Sequence, residues 1–147
     1  MHILFIETDL LDKQIIDLLM EDARRSSKVL SKHLNVNSST IRRRIKRLVE
    51  KEIIQIVAFP EPDKVGLHTE AIIALSVSHE NSASVLEKLR GYPEVRWAAA
   101  MSGRFDIMAY VWLPTTDDLY KFIRVIGGIE GVTQSETSIC LHVYKRP

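Results

Sequence analysis

The chain has 147 residues, enough for one ordinary domain or two very small ones. A hydrophobic fraction of 46% with 27% charged residues excludes a disordered chain, and a single cysteine, Cys140, excludes a disulfide framework or a multi-cysteine zinc site. With 20 Lys and Arg against 19 Asp and Glu, the net charge of +1 favours neither a polyanionic nor a polycationic partner, and no apolar run approaches the roughly 18 residues that span a bilayer.

The first residues, His2-Ile3-Leu4-Phe5-Ile6, run into Glu7 and Asp9 with no basic flank and no small-residue cleavage site, so they do not read as a signal peptide. Leu11, Ile15, Leu18 and Leu19 then recur at the spacing of one helical face, with Asp9 and Asp12 in the first turn to complement the helix dipole. Arg24-Arg25-Ser26-Ser27 breaks this helix. Ser26 or Ser27 caps a short second one that turns Val29, Leu30 and Leu34 inward. Asn35 suits the left-handed residue of a tight turn, and Asn37 or Ser38 caps a third helix with Ile41, Ile45 and Leu48 inward.

Charge is concentrated in this region. Residues 1–60 carry 11 Lys and Arg against 8 acids, a net +3, whereas residues 61–147 carry 9 against 11. Between Ala23 and Val49 there are nine basic residues and no acid. A local field of this kind attracts a polyanion whatever the total charge. With the third helix packed by its apolar stripe, Ser38, Ser39, Arg42, Arg43 and Lys46 turn outward, and Arg44 and Arg47 lie on the flanks. Helix, short turn and a second helix showing small hydroxyls and then Arg and Lys is the geometry of a helix-turn-helix reader of double-stranded DNA. A basic three-helix structural bundle is the plain alternative.

Ile53 to Phe59 reads as a strand ended by Pro60 and Pro62, which makes residues 58–68 a linker between a DNA-reading domain over 1–57 and a second domain over 69–147. The second domain reads β-α-β-β-α-β. Its strands are expected over Glu70–Ser78, Val95–Met101, Ile107–Leu113 and Val132–Tyr144. One helix is capped at Asn81 or Ser82, and a second by Thr115 with Asp118. Gly91-x-x-x-Val95 and Gly128-x-x-x-Val132 echo each other between a helix and a strand. The fold class is therefore α+β: a three-helix, winged helix-turn-helix followed by a ferredoxin-like sandwich with both helices on one sheet face. The other face, with Trp97 and Trp112, is expected to bury itself against a second copy.

These residues resemble the Lrp/AsnC (feast/famine) transcription regulators. The likeness runs through Asp22-Ala23-Arg24, Leu30-Ser31-Lys32, Ser38 to Leu48, Ile53-Ile54, Pro62-Asp63-Lys64-Val65-Gly66 and Gly103-x-x-Asp106, and so covers nearly the whole chain in order. The resemblance implies a sequence-specific regulator whose Ser38, Ser39, Thr40, Arg42, Arg43 and Lys46 face DNA, with Arg44 and Arg47 beside them. It implies homodimers that assemble into tetramers or octamers, and a free amino acid as effector. Ser102, Gly103, Arg104, Phe105 and Asp106 would line the effector pocket, with Ser135 and Thr137 of the last strand. Glu52 stands where the family usually has Gly, so the turn leaving the third helix is expected to differ; Ser31 stands where Ala is common. Independently, Gly103 can take positive φ and free backbone N–H groups for a carboxylate, while Asp106 offers acceptors to an ammonium or to neighbouring backbone N–H groups.

No catalytic set, metal site or cofactor is expected. His2, His33, His68, His79 and His142 lack metal-ligand spacing, and Cys140 lies in an expected strand, where a core position is commoner than a nucleophile. Two other readings share the fold: a DNA-compacting architectural protein without effector, and a siroheme-decarboxylase-like enzyme recruiting His79 or His142 to a tetrapyrrole. The expected location is cytoplasmic and nucleoid-associated, with no membrane partner.

Overall fold

The computed structural model describes residues 8–146; the apolar start His2–Ile6, with Glu7, lies outside the described residues. The chain forms two compact units that divide between Ala58 and Phe59.

The first unit holds α1 (Leu10–Glu21), α2 (Ser27–Leu34) and α3 (Ser38–Glu50). Each start is capped. Asp9 and Asp12 form a reciprocal capping box on α1, and Ser26 accepts from Val29 N–H on α2. The apolar stripes of the three helices meet in one core, in which Ile15, Leu30, Ile41 and Leu48 are fully buried and Ile45 and Ile54 pack at its edge. Glu52 ends α3 in the left-handed region, φ 55°. Ile53 N–H donates to Leu48 O at 2.9 Å and Glu52 N–H to Val49 O at 3.0 Å, the two bonds of a Schellman turn. Glu52 thus holds the conformation that glycine favours, so the departure from Gly leaves the turn's geometry intact.

The strand expected over Ile53–Phe59 does not form; among the described residues no strand precedes Thr69. The segment is apolar and β-prone, but among the described residues it has no neighbouring strand with which to exchange backbone hydrogen bonds. Pro62–Val65 then makes one 3-10 turn closed by Gly66.

The second unit runs β1 (Thr69–Val77), α4 (Ser82–Arg90), β2 (Val95–Ala100), β3 (Ile107–Leu113), α5 (Thr116–Gly127) and β4 (Val132–Ile139). The sheet order is β2-β3-β1-β4 and every pairing is antiparallel, the ferredoxin-like arrangement. Alternation decides the faces. Ala71, Ile73, Leu75 and Val77 of β1 and Ile107, Ala109, Val111 and Leu113 of β3 join Val85, Leu89, Leu119, Phe122 and Ile126 of the helices in one core. The last strand stops at Ile139, not Tyr144: Ala71 pairs with Ile139, and Cys140 N–H makes the final bond to Glu70 O at 2.8 Å.

The helix-free face is only partly open. Trp97 and Ile72 are exposed there, but Trp112 is 1% exposed within the single chain, which corrects the expectation that a second copy buries it. Phe59 meets its ring edge-on at 4.9 Å, and the Arg96 guanidinium lies 4.6 Å from its centroid. Arg146 closes the face from the other end. It donates to both Glu70 oxygens at 2.7 and 2.8 Å, pairs with Glu61 at 3.2 Å, and reaches to 5.9 Å from Trp112. Tyr110 O–H also donates to Glu70. The Arg146 hydrogen bonds hold the Glu70 carboxyl below the usual carboxylate range. No helix among the described residues is long and apolar enough to cross a membrane.

Candidate nucleic-acid interface and effector loop

The turn between α2 and α3 is built from three local decisions. Asn35 takes φ 51°, Val36 N–H returns to Ser31 O at 3.2 Å, and Asn37 Oδ1 accepts both the backbone N–H and the hydroxyl of Ser39 at 2.9 Å. The Asn37 cap fixes where α3 begins and so which residues lie on its outer face. Ser39, Arg42, Arg43 and Lys46, at i, i+3, i+4 and i+7, are exposed; Ser38 and Thr40 are half-buried at the helix start. Arg42 and Arg43 have no carboxylate partner among the described residues, and Lys46 makes only an exposed i,i+4 contact with Glu50 at 3.6 Å. The outer face is thus two uncommitted guanidinium groups and an ammonium behind small hydroxyls.

Arg44 and Arg47 behave differently. Both turn back onto α1. Arg44 donates to Asp9 and, at 3.1 Å, to Asp12, and Arg47 donates to the other Asp12 oxygen. Asp12 is fully buried, so its charge is met inside the unit by two arginines. The Asp12 N–H, and after it Arg44, lower the Asp9 pKa, while Asp9 and then Asp12 raise that of Arg44. In the sequence these two arginines read only as flanks of the outer face. The missed signal was the acid pair at Asp9 and Asp12, which serves the helix dipole and the arginines at once.

In the second unit the β2–β3 connection carries Ser102, Gly103, Arg104, Phe105 and Asp106. Gly103 takes φ 149°, and a Cβ there would meet open space. Asp106 ties the loop to β1. Its N–H donates to Leu75 O at 2.9 Å, its carbonyl accepts from Met101 N–H at 2.8 Å, and its Oδ2 accepts from Val77 N–H at 2.9 Å, beside the register slip at Ser76/Val77. One carboxylate oxygen is therefore committed to the fold. Phe105 is buried; Arg104 lies 5.0 Å from the Phe105 centroid and 3.5 Å from Glu136. The pairing separates the remaining candidates. Ser135 and Thr137 lie opposite Leu75 and Ile73, on the helix side, whereas Glu136 lies opposite Ala74 on the other face. The loop and the β4 hydroxyls thus do not converge on one side of the sheet.

The groups that other chemistry would recruit are dispersed. His79 is exposed just after β1, and His142 is exposed in the C-terminal segment, 4.6 Å from Tyr144 ring to ring. Burial, with Glu70 nearby, raises the pKa of the half-buried Cys140 thiol. No group of three or more His, Cys, Asp or Glu among the described residues could hold a metal.

Comparison with known proteins adds to this geometry. Residues 70–147 match the model of the Lrp/AsnC ligand binding domain, and residues 8–55 match a winged helix-turn-helix DNA-binding model. The chain is 33% identical over 138 residues to the HTH-type transcriptional regulator FL11 of Pyrococcus furiosus, covering 93% of this chain and 91% of that protein. The solved structure of Escherichia coli AsnC aligns with a TM-score of 0.78 and 27% identity, covering 95% of this chain and 96% of that one. A Neisseria meningitidis transcriptional regulator, solved as its L-methionine complex, shares the fold with a TM-score of 0.81 and 24% identity over 95% of this chain and 93% of that one.

Proposed function

Because this chain belongs to the Lrp/AsnC family of transcription regulators, we propose that it reads double-stranded DNA through α3. Arg42, Arg43 and Lys46 supply the contacts, and Ser38, Ser39 and Thr40 allow close approach at the helix start. The observation that carries this reading is the outer face of α3, where Arg42 and Arg43 stand exposed without a carboxylate partner among the described residues. A guanidinium can pair bidentately with guanine in the major groove, and an ammonium serves best as a phosphate contact. Arg44 and Arg47 act indirectly, by holding α3 against α1.

A two-fold dimer would place two such helices on half-sites about 34 Å apart. The exposed Trp97 and Ile72 on the helix-free sheet face are the apolar surface such a dimer would cover. The ligand-binding domain match, and the methionine bound to the Neisseria relative, support a small amino acid as effector.

Binding of the purified chain to a duplex from its own upstream region tests the reading. Arg42→Ala or Arg43→Ala is expected to weaken specific binding by about 1–3 kcal/mol and to relax preference at one base position. Lys46→Ala is expected to weaken all duplexes alike and to reduce the salt slope by about one. Normal operator binding by both arginine variants would remove α3 from the interface. The architectural reading shares the same charges and differs in one observable, the ratio of specific to non-specific affinity.

A further inference from the structure

Five basic side chains lie on α3, and the fold divides them. Arg42, Arg43 and Lys46 share the outer face with Ser39. Arg47 stands about a quarter turn, and Arg44 roughly half a turn, round the helix from the middle of that face. There two carboxylates of α1 and its cap hold them. Asp9 and Asp12 both accept from Arg44, and the other Asp12 oxygen accepts from Arg47.

Arg47 shows what keeps it there. Its Nε is buried and has no hydrogen-bond partner among the described residues. An unmade bond of this kind opposes the inward position, and the contact with Asp12 outweighs it. Asp12 itself is fully buried and cannot turn to solvent, whereas Arg44 and Arg47 are both partly exposed. Each arginine therefore has water, and a long flexible stem with which to reach it, once its carboxylate is neutralised.

When α3 reads bases, its outer face lies in the major groove and the flank toward α1 points away from it. An arginine released on that flank meets phosphates chiefly in other poses of the unit on the duplex, and those poses make up sequence-independent binding. We infer that Asp9 and Asp12 are specificity-determining residues. By withholding Arg44 and Arg47 from phosphates they limit non-specific affinity and leave the base-reading face as it is. The inference rests on the reading of DNA by α3, and gives a role in it to two acids that do not meet the duplex.

The test is binding of the full chain to a duplex from its own upstream region and to a random duplex across a salt series, with melting curves to confirm folding. Asp12→Asn deprives Arg47 of its carboxylate. It is expected to steepen the salt slope on random duplex by about one, and to lower the preference for the upstream duplex about tenfold at 0.1 M salt. Asp9→Asn retains a side chain that caps α1 and frees Arg44 only in part, so about half that change in slope is expected. If Asp12→Asn does not fold, Asp9→Asn carries the test. Adding Arg47→Gln to the first variant, or Arg44→Gln to the second, is expected to return the slope to that of the parent chain. Asp17→Asn makes the same charge change at an exposed position of α1, and is expected to leave the slope and the preference unaltered. Unchanged slopes in Asp9→Asn and Asp12→Asn, or an equal change in Asp17→Asn, would overturn the inference and leave reading by α3 standing. A parent chain without preference for the upstream duplex would overturn both.

Discussion

Asp12 is fully buried, yet it carries two arginines rather than an apolar neighbour. Removing one partner of such a network leaves the others without their counter-charge, at a cost of about 3–5 kcal/mol where all are buried. Arg44 and Arg47 keep 23% and 39% exposure and can turn to water, so Asp12→Ala is expected to cost less, about 2–3 kcal/mol by urea unfolding. Glu52 predicts the opposite sign. A side chain in the left-handed region costs about 1–2 kcal/mol, part of which glycine returns as unfolded-state entropy. Glu52→Gly is therefore expected to stabilise the chain by about 0.5–1 kcal/mol, read as a higher melting temperature. Glu70 supplies a pH dependence. Its folded pKa is depressed below the ordinary 4.5, with Arg146 the largest cause, so its contribution is present above pH 4.5 and lost as pH falls through the folded value. Melting temperature is expected to fall below that pH, and to fall less steeply in Arg146→Met, where the carboxylate has lost its cation.

At the scale of elements, α3 divides its residues by face. Ile41 and Leu48 hold it in the core, Arg44 and Arg47 brace it on α1, and Arg42, Arg43 and Lys46 are left for a partner. Double replacement of Arg42 and Arg43 is expected to abolish specific binding while leaving the melting temperature within a degree or two, since neither makes an ion pair among the described residues. This division was half legible in the sequence. The stripe of Ile41, Ile45 and Leu48 and the caps Ser26, Asn37 and Thr115 are local signals, and they place the helices. The bracing arginines depend on where α1 packs, which spacing does not encode. The same limit explains the second unit. Alternation in β1 and β3 gave the core face, but the end of β4 depends on where its pairing with β1 stops, and the burial of Trp112 on Phe59 and Arg146 from distant parts of the chain. Ile53–Phe59 carries a strand's composition without a strand's partner.

At the scale of the molecule, charge is divided unevenly between the two units. The first unit holds the acid-free basic run from Ala23 to Val49, whereas residues 61–147 carry a net negative charge. That separation suits a protein that grips DNA with one unit and assembles or senses with the other. The most direct test of sequence-specific reading by α3 is competition binding of the chain to a duplex from its own upstream region and to a scrambled duplex of equal length, across a salt series. At least about 10³-fold preference for the upstream duplex is expected, with the preference lost in the Arg42 and Arg43 double variant. Equal affinity for both duplexes, falling together steeply with salt, would contradict it and assign the basic face to sequence-independent compaction.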